Sequence, residues 1–214
     1  MIKVKICGLR RIEDALLAAE LGASALGFVF WPSSPRYIDP YRARPIVAAL
    51  PPLVSAVGIF VDQPPEFVSG VARLLGLGAV QLHGSEPAES YVHSAHHVIK
   101  AVPVWDGVDV RTAMAGVPAR ATVLLDAHDP VKRGGTGKTI DWSQAAAAAR
   151  VRPVILSGGL TADNVATALE AVRPYAVDVA SGVEAAPGVK DADRLRAFFA
   201  AVAAEKAKLT THNS

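Results

Sequence analysis

The chain has 214 residues, of which 51% are hydrophobic and 20% are charged, and its formal net charge is +2. This composition supplies a large core, whereas the near-neutral charge and the lack of a basic stretch exclude nucleic acid as a partner. The lack of an apolar run of roughly 20 residues excludes a membrane-spanning class, and a single cysteine, which cannot form an internal disulfide, favours the reducing cytoplasm.

Short apolar runs rich in Val, Ile and Leu alternate with helical patterns along the chain. The runs predict strands near 2–7, 25–30, 54–60, 79–82, 97–102, 121–126, 153–157 and 176–180. The patterns between them predict helices near 11–21, 40–50, 64–75, 86–94, 107–116, 141–149, 161–172 and 190–204. Eight such units in this length indicate an α/β fold, a single-domain (β/α)8 TIM barrel, with a doubly wound open sheet as the alternative. We assign the barrel to residues 1–205 and a polar C-terminal tail to residues 206–214.

The first predicted strand ends at the chain's only cysteine. Residues 2–6 alternate apolar and polar side chains, which is typical of a half-buried strand, and Cys7 follows them. In a barrel the C-terminal ends of the strands carry the catalytic groups, so this thiol could act as a base or a nucleophile. The alternative is that Cys7 is a small buried hydrophobe.

Polar side chains also end other strands. Arg36 follows the second strand in a loop between Pro35 and Pro40, where it could hold a carboxylate or face solvent. His83 ends the fourth strand and could contact a substrate or satisfy a backbone carbonyl. Asp126 ends an almost wholly apolar sixth strand, where it could act as an acid/base group or cap the following loop. With the cysteine, Asp126 would place two proton-transfer groups on separate walls of the barrel.

Two glycine-containing turns follow the last two strands. Gly158 and Gly159 come after the seventh strand, and Ser181 and Gly182 come after the eighth. Glycines let backbone approach a ligand closely, helix N-termini present free N–H groups to an anion, and barrel enzymes often bind phosphate at this place. We therefore predict a phosphate site, although two ordinary strand-to-helix turns would have the same sequence.

The glycine-rich run at residues 134–139 resembles a nucleotide-binding P-loop. That motif requires a glycine at position 132, where this chain has Lys132, and the run does not follow a strand directly. We predict instead a mobile loop that closes over the site, with Gly135 and Gly137 supplying its freedom.

A metal centre is not predicted. His93, His96 and His97 fall on or near a helix and the start of a strand, away from the strand ends that would carry the site. Asp126 and His128 could form a pair of ligands, but the sequence offers them no obvious partner set.

Taken in order, these segments resemble the phosphoribosylanthranilate isomerase family of tryptophan biosynthesis. The resemblance covers essentially the whole barrel and rests on KICGLR, GFVFWPSSPRYI, VGIFVDQ, VQLHGSE, LLDA, GGTGKTIDW, LSGGLTADNV and VDVASGVEAAPGVKD. It implies that Cys7 is the general base, that Asp126 is the general acid, and that Arg36 holds the anthranilate carboxylate. It also implies that His83 and Asp178 line the substrate pocket. The residues implied in phosphate binding are Gly158, Gly159, Ser181 and Gly182.

The resemblance implies an Amadori rearrangement of N-(5-phosphoribosyl)anthranilate to 1-(2-carboxyphenylamino)-1-deoxyribulose 5-phosphate. Such a reaction needs no cofactor, and the expected partner is this small phosphorylated substrate, bound by a cytoplasmic monomer or homodimer. Two positions depart from the family pattern: Ala180 stands where serine is frequent, and Ile140 stands where an aromatic residue is common.

Two other functions stay open at this point. A related sugar-phosphate barrel enzyme would use metal-binding His and Asp sets or paired aspartates, which the strand ends do not show. A non-catalytic barrel that binds a phosphorylated metabolite and signals could dispense with Cys7 or Asp126.

Overall fold

The computed structural model describes residues 2–91, 96–104, 109–127 and 141–211, and eight parallel strands close into a barrel. The strands are β1 (Lys3–Cys7), β2 (Ala25–Val29), β3 (Ser55–Phe60), β4 (Ala79–Leu82), β5 (His97–Val104), β6 (Thr122–Ala127), β7 (Val154–Leu156) and β8 (Ala176–Val179). Each strand pairs with its neighbours in sequence, and β1 also pairs with β8. This closure confirms the (β/α)8 barrel and excludes the open sheet.

Helices follow the strands and cover the outside of the barrel. They are α1 (Ile12–Glu20), α2 (Pro40–Ala48), α3 (Pro65–Leu75), α4 (Val110–Ala115), α5 (Trp142–Ala149), α6 (Val165–Val172) and α7 (Ala192–Thr211). Side-chain caps set several of their starts, because a helix leaves its first N–H groups without partners. Asp39 accepts a hydrogen bond from Tyr41 N at 2.9 Å, and Asp141 accepts one from Ser143 N at 2.8 Å.

Three helical segments differ from the sequence prediction. The helix expected near 86–94 is a 3₁₀ turn at Ala88–Ser90, and residues 92–95 lie outside the described part. The helix expected from 161 begins at Val165, because Asn164 Oδ1 accepts from Thr161 N at 2.8 Å and holds a turn there. The last helix continues to Thr211, past the boundary that we assigned at residue 205.

The barrel has two apolar layers. Side chains such as Phe28, Phe60 and Phe198 fill the space between strands and helices, while Val57, Leu124 and others fill the interior. The polar positions of β1 lie on the interior face, and Lys5 is only 3% exposed. Lys3, at the start of β1, is exposed, but from Lys5 onward the interpretation of β1 as a half-buried strand was wrong, because Lys5 meets Asp178 inside the barrel and not solvent.

A small hairpin that the sequence analysis did not predict follows β8. A 3₁₀ turn at Ser181–Val183 leads into β9 (Glu184–Ala186), which pairs antiparallel with β10 (Val189–Lys190). Lys190 N donates to the buried carboxylate of Asp14 on α1 at 3.0 Å, which fastens the hairpin to the outer layer.

Candidate active site

A cavity of about 410 Å³ opens at the C-terminal end of the barrel. Five of its lining side chains are polar residues that the sequence analysis selected: Cys7, Arg36, His83, Asp126 and Asp178. They come from strands, or from loops following strands, that are distant in sequence. The barrel therefore brings the predicted catalytic and substrate-binding residues to one place.

A larger cleft, of about 1280 Å³, lies at the opposite end of the barrel. It is lined by residues at the starts of strands, among them Thr122, Pro153 and Tyr175. Catalytic groups of barrel enzymes lie at the C-terminal ends of strands, so size alone does not identify the site. We therefore place the candidate active site in the smaller cavity.

Cys7 forms part of the floor of this cavity. Its side chain packs with Val29 and Ile59 and is 9% exposed. Burial raises the pKa of the Cys7 thiol above its ordinary value, because the thiolate loses hydration. The ammonium groups of Lys5 and Lys190 act in the opposite direction, and the carboxylate of Asp178 adds to the effect of burial.

A buried ion pair lies beside the thiol. Lys5 Nζ is 2.7 Å from Asp178 Oδ1, and Ser157 Oγ donates to Asp178 Oδ2 at 3.2 Å. Burial is the largest single influence and would lower the pKa of Lys5, but the attraction and hydrogen bonding of Asp178 and Cys7 together outweigh it, and the pKa is raised. Lys5 therefore stays charged inside the barrel, two residues from the thiol on the same face of β1.

Asp126 stands on the far wall, in contact with His83. Asp126 Oδ2 is 3.2 Å from His83 Nε2, and Gln81 Nε2 is 3.0 Å from His83 Nδ1. If the Gln81 amide nitrogen donates to Nδ1, the ring proton lies on the Nε2 that faces Asp126. Gln81 Oε1 is buried and has no hydrogen-bond partner in the described part of the chain.

Arg36 reaches the cavity from the loop after β2. Its side chain crosses Gly8, whose φ is +79°, and a Cβ at that position would lie 2.5 Å from Arg36 Cδ. Arg36 Nε and Nη2 donate to both carboxylate oxygens of Glu184, the closest contact being 2.6 Å. The glycine that follows β1 thus leaves the space through which the guanidinium enters the cavity.

The glycine turns after β7 and β8 touch each other. Gly158 and Gly159 both have positive φ, of 93° and 62°. Gly182 lies against the carbonyl of Leu160, because a Cβ at 182 would be 1.9 Å from that oxygen. Asn164 Nδ2 donates to Gly159 O at 2.9 Å and so ties the first turn to the start of α6.

Several predictions concern residues away from this cavity. The loop with Gly135 and Gly137, together with Ile140 and His128, lies outside the described residues. His96 Nδ1 is 2.9 Å from Leu77 O, below the start of β4. Within the described ranges, no group of three His, Cys, Asp or Glu side chains could hold a metal ion. The same ranges contain no helix with the length and apolar character needed to cross a bilayer.

Five buried polar side chains in or beside the site had been given no role from the sequence: Lys5, Gln81, Ser157, Glu184 and Lys190. Two of them were detectable. Lys5 precedes Cys7 by two residues, and Gln81 precedes His83 by two, so each shares a face with a residue already selected. Glu184 and Lys190 lie on the unpredicted hairpin, where no strand-end argument applies.

Comparisons with known proteins point to one family. The sequence profile of the family described as N-(5'phosphoribosyl)anthranilate (PRA) isomerase matches residues 4–201. The N-(5'-phosphoribosyl)anthranilate isomerase of Geobacter sulfurreducens is 51% identical over 203 residues, which cover 93% of this chain and 97% of that protein.

Solved structures give the same result. The phosphoribosyl anthranilate isomerase of Thermotoga maritima superposes with a TM-score of 0.88 at 45% identity, over 95% of this chain and 100% of the other. A second structure is that of a phosphoribosyl anthranilate isomerase in complex with reduced 1-(o-carboxyphenylamino)-1-deoxyribulose 5-phosphate. It has a TM-score of 0.85 and 43% identity, over 95% of this chain and 100% of that one.

Proposed function

The chain belongs to the N-(5'-phosphoribosyl)anthranilate isomerase family, and from that membership we propose that Cys7 and Asp126 carry the proton transfers of the isomerisation. The chain is an isomerase of tryptophan biosynthesis. The observation that supports the residue roles is the placement of Cys7 and Asp126 on different strands that line one cavity.

In this mechanism Asp126 protonates the ribose ring oxygen, and the ring opens to an iminium ion. The positive charge acidifies the neighbouring C2 proton, which the thiolate of Cys7 removes. The resulting enolamine tautomerises to the ketone, so only protons move between enzyme and substrate. The developing positive charge of the iminium also stabilises the thiolate of Cys7, whose formation burial otherwise disfavours.

His83 and Gln81 support the acid. Before ring opening Asp126 must hold a proton, and its contact with His83 Nε2 then needs a proton on the other ring nitrogen, Nδ1. Rotating the Gln81 amide by half a turn would offer its unpaired Oε1 to that Nδ1 proton. The three side chains can therefore hold one proton more without losing the hydrogen bonds between them.

The activity itself is testable by fluorescence. The purified protein should consume phosphoribosylanthranilate with loss of the anthranilate-type fluorescence. A protein that binds this compound and leaves its fluorescence unchanged over many enzyme equivalents would be a metabolite-binding barrel instead.

The pH dependence should reveal the thiol. Because burial raises the pKa of Cys7, the thiolate fraction is small near neutrality, and the rate at which iodoacetamide alkylates this thiol in the free enzyme should keep rising beyond the pKa of a free thiol, about 8.5. Cys7 is the chain's single cysteine, so the loss of free thiol measured at each pH reports on it alone. An alkylation rate that levels off well below the pKa of a free thiol would contradict the raised pKa.

Arg36 is proposed to bind the substrate carboxylate. Arg36→Met should raise KM more than it lowers kcat, because Arg36 stands on a loop outside the proton path. Steady-state kinetics on the folded variant measure the two constants separately. A variant with unchanged KM would show that the carboxylate is held elsewhere.

The phosphate is proposed to rest on backbone N–H groups of the two touching turns, at Gly158, Gly159, Ser181 and Gly182. Gly159→Val should obstruct the anion, raise KM and weaken competition by inorganic phosphate. Gly76→Val is the matched control, since Gly76 also has a φ of 62° but ends α3 in open space. Equal losses in both variants would point to backbone strain and not to a phosphate site.

A further inference from the structure

A buried chain of charges connects parts of the site that are far apart in sequence. Glu184 lies between Arg36 and Lys190, with Nη2 to Oε2 at 2.6 Å and Nζ to Oε1 at 2.9 Å. The side chains of Glu184 and Lys190 are 4% and 0% exposed. Charges this deeply buried are costly unless they are paired and hydrogen-bonded, so this arrangement differs from an ordinary surface ion pair.

Glu184 determines which side of the guanidinium is free. It occupies the Nε and Nη2 side of Arg36, and Gly188 N donates to Glu184 Oε1 at 3.2 Å. A guanidinium presents two N–H groups in a plane toward a carboxylate, and its two usable sides are different. With one side taken, the side that includes Nη1 is left for the cavity.

Lys190 fixes Glu184 to the strand that bears the thiol. Its three N–H groups are matched by three acceptors, with Cys7 O at 2.6 Å, Ala180 O at 3.1 Å and Glu184 Oε1. The first two are main-chain carbonyls at the ends of β1 and β8. Through Glu184 and Lys190, Arg36 is therefore held in place relative to the end of β1, the strand that carries Cys7.

We propose that Glu184 is a positioning residue for substrate specificity: it holds Arg36 so that one side of the guanidinium meets an aromatic carboxylate, and Lys190 anchors it to the end of β1. This inference rests on the carboxylate-binding role proposed for Arg36. Without Glu184, the guanidinium would not be held in its binding orientation in advance. It would have to lose conformational freedom when the ligand binds, so the carboxylate would contribute less affinity.

The test compares two ligands that differ only in the carboxylate. These are reduced 1-(o-carboxyphenylamino)-1-deoxyribulose 5-phosphate and its phenylamino counterpart without the carboxylate. The ratio of their Kd values isolates the carboxylate contribution from that of the phosphate and sugar. Glu184→Gln keeps the size of the side chain but removes its charge, and it should reduce the ratio about ten-fold. A ratio that is unchanged or larger in Glu184→Gln overturns the proposal.

Arg36→Met distinguishes this inference from the function proposed for Arg36. Arg36→Met should bring the ratio close to one, and a ratio that it leaves unchanged would mean that Arg36 does not bind the carboxylate. If Arg36→Met loses the preference and Glu184→Gln keeps it, the role of Arg36 stands and that of Glu184 fails.

Arg194→Gln is the structural control. Arg194 Nη1 donates to the main-chain carbonyl of Glu184 at 2.5 Å, so it supports the same segment without touching the carboxylate. It should leave the ratio unchanged, and an equal fall in Arg194→Gln and Glu184→Gln would overturn the proposal. If Glu184→Gln does not fold, Glu184→Asp keeps the charge but withdraws it by one methylene, and the same fall is expected.

Discussion

Replacing Cys7 with alanine, or Asp126 with asparagine, should lower kcat about 10²-fold or more, the usual contribution of a positioned acid or base. Each variant removes a proton-transfer group from one wall of the cavity while changing few atoms. Stopped assays at high enzyme concentration give the residual kcat, and binding of the reduced product analogue shows that the site is still formed.

Ser33→Ala is the control for these two variants, because Ser33 lines the same cavity and has no assigned role. It should keep kcat within a few-fold of the parent enzyme. Near-normal kcat in Cys7→Ala or in Asp126→Asn would remove that residue from the mechanism and direct attention to His83.

Lys5→Met should destabilise the fold by about 3–5 kcal/mol, the range observed when one member of a buried ion pair is removed. Asp178 would keep only the hydrogen bond from Ser157, at 3.2 Å, and its carboxyl group would have lost its charged partner inside the barrel at 5% exposure. Urea denaturation at neutral pH measures the loss as a lower midpoint with an unchanged slope.

An exposed ion pair provides the comparison. Arg196 and Asp193 are 3.3 Å apart with side chains that are 56% and 97% exposed, so Arg196→Met should change the midpoint little. Replacing Lys5 and Asp178 together by Met and Leu should recover part of the loss, because no unpaired charge then remains. A midpoint in Lys5→Met equal to that in Arg196→Met would contradict the importance of the buried pair.

The sequence was sufficient to predict the barrel and to select the polar residues at the ends of its strands. Each buried strand is an apolar run, and several of the runs end at a recognisable polar residue such as Cys7 or Asp126. Knowing that parallel strands end on the same side of a barrel was then enough to bring those residues together.

The contacts of the site residues could not be predicted from the sequence. The two-residue period of β1 separates Lys5 from Val4, but it does not say which face is inside, and solvent is the default for lysine. Arg36 and Glu184 are 148 residues apart, and no local pattern relates them. The prediction of an α-helix near 86–94 was wrong, because the segment at Ala88–Ser90 is too short for its hydrophobic period to distinguish an α-helix from a 3₁₀ turn.

The bonds that complete the site also set the order in which it can form. Lys5 meets Asp178 across 173 residues, and Lys190 meets Cys7 across 183. During synthesis the first strand therefore leaves the ribosome long before the groups that position its thiol and neutralise its lysine exist. Closing loops of this length costs chain entropy that the contacts must offset. Until β8 and its hairpin are in place Lys5 and Cys7 lack these partners, so the first strand of the barrel cannot carry a complete site before the last one has joined it.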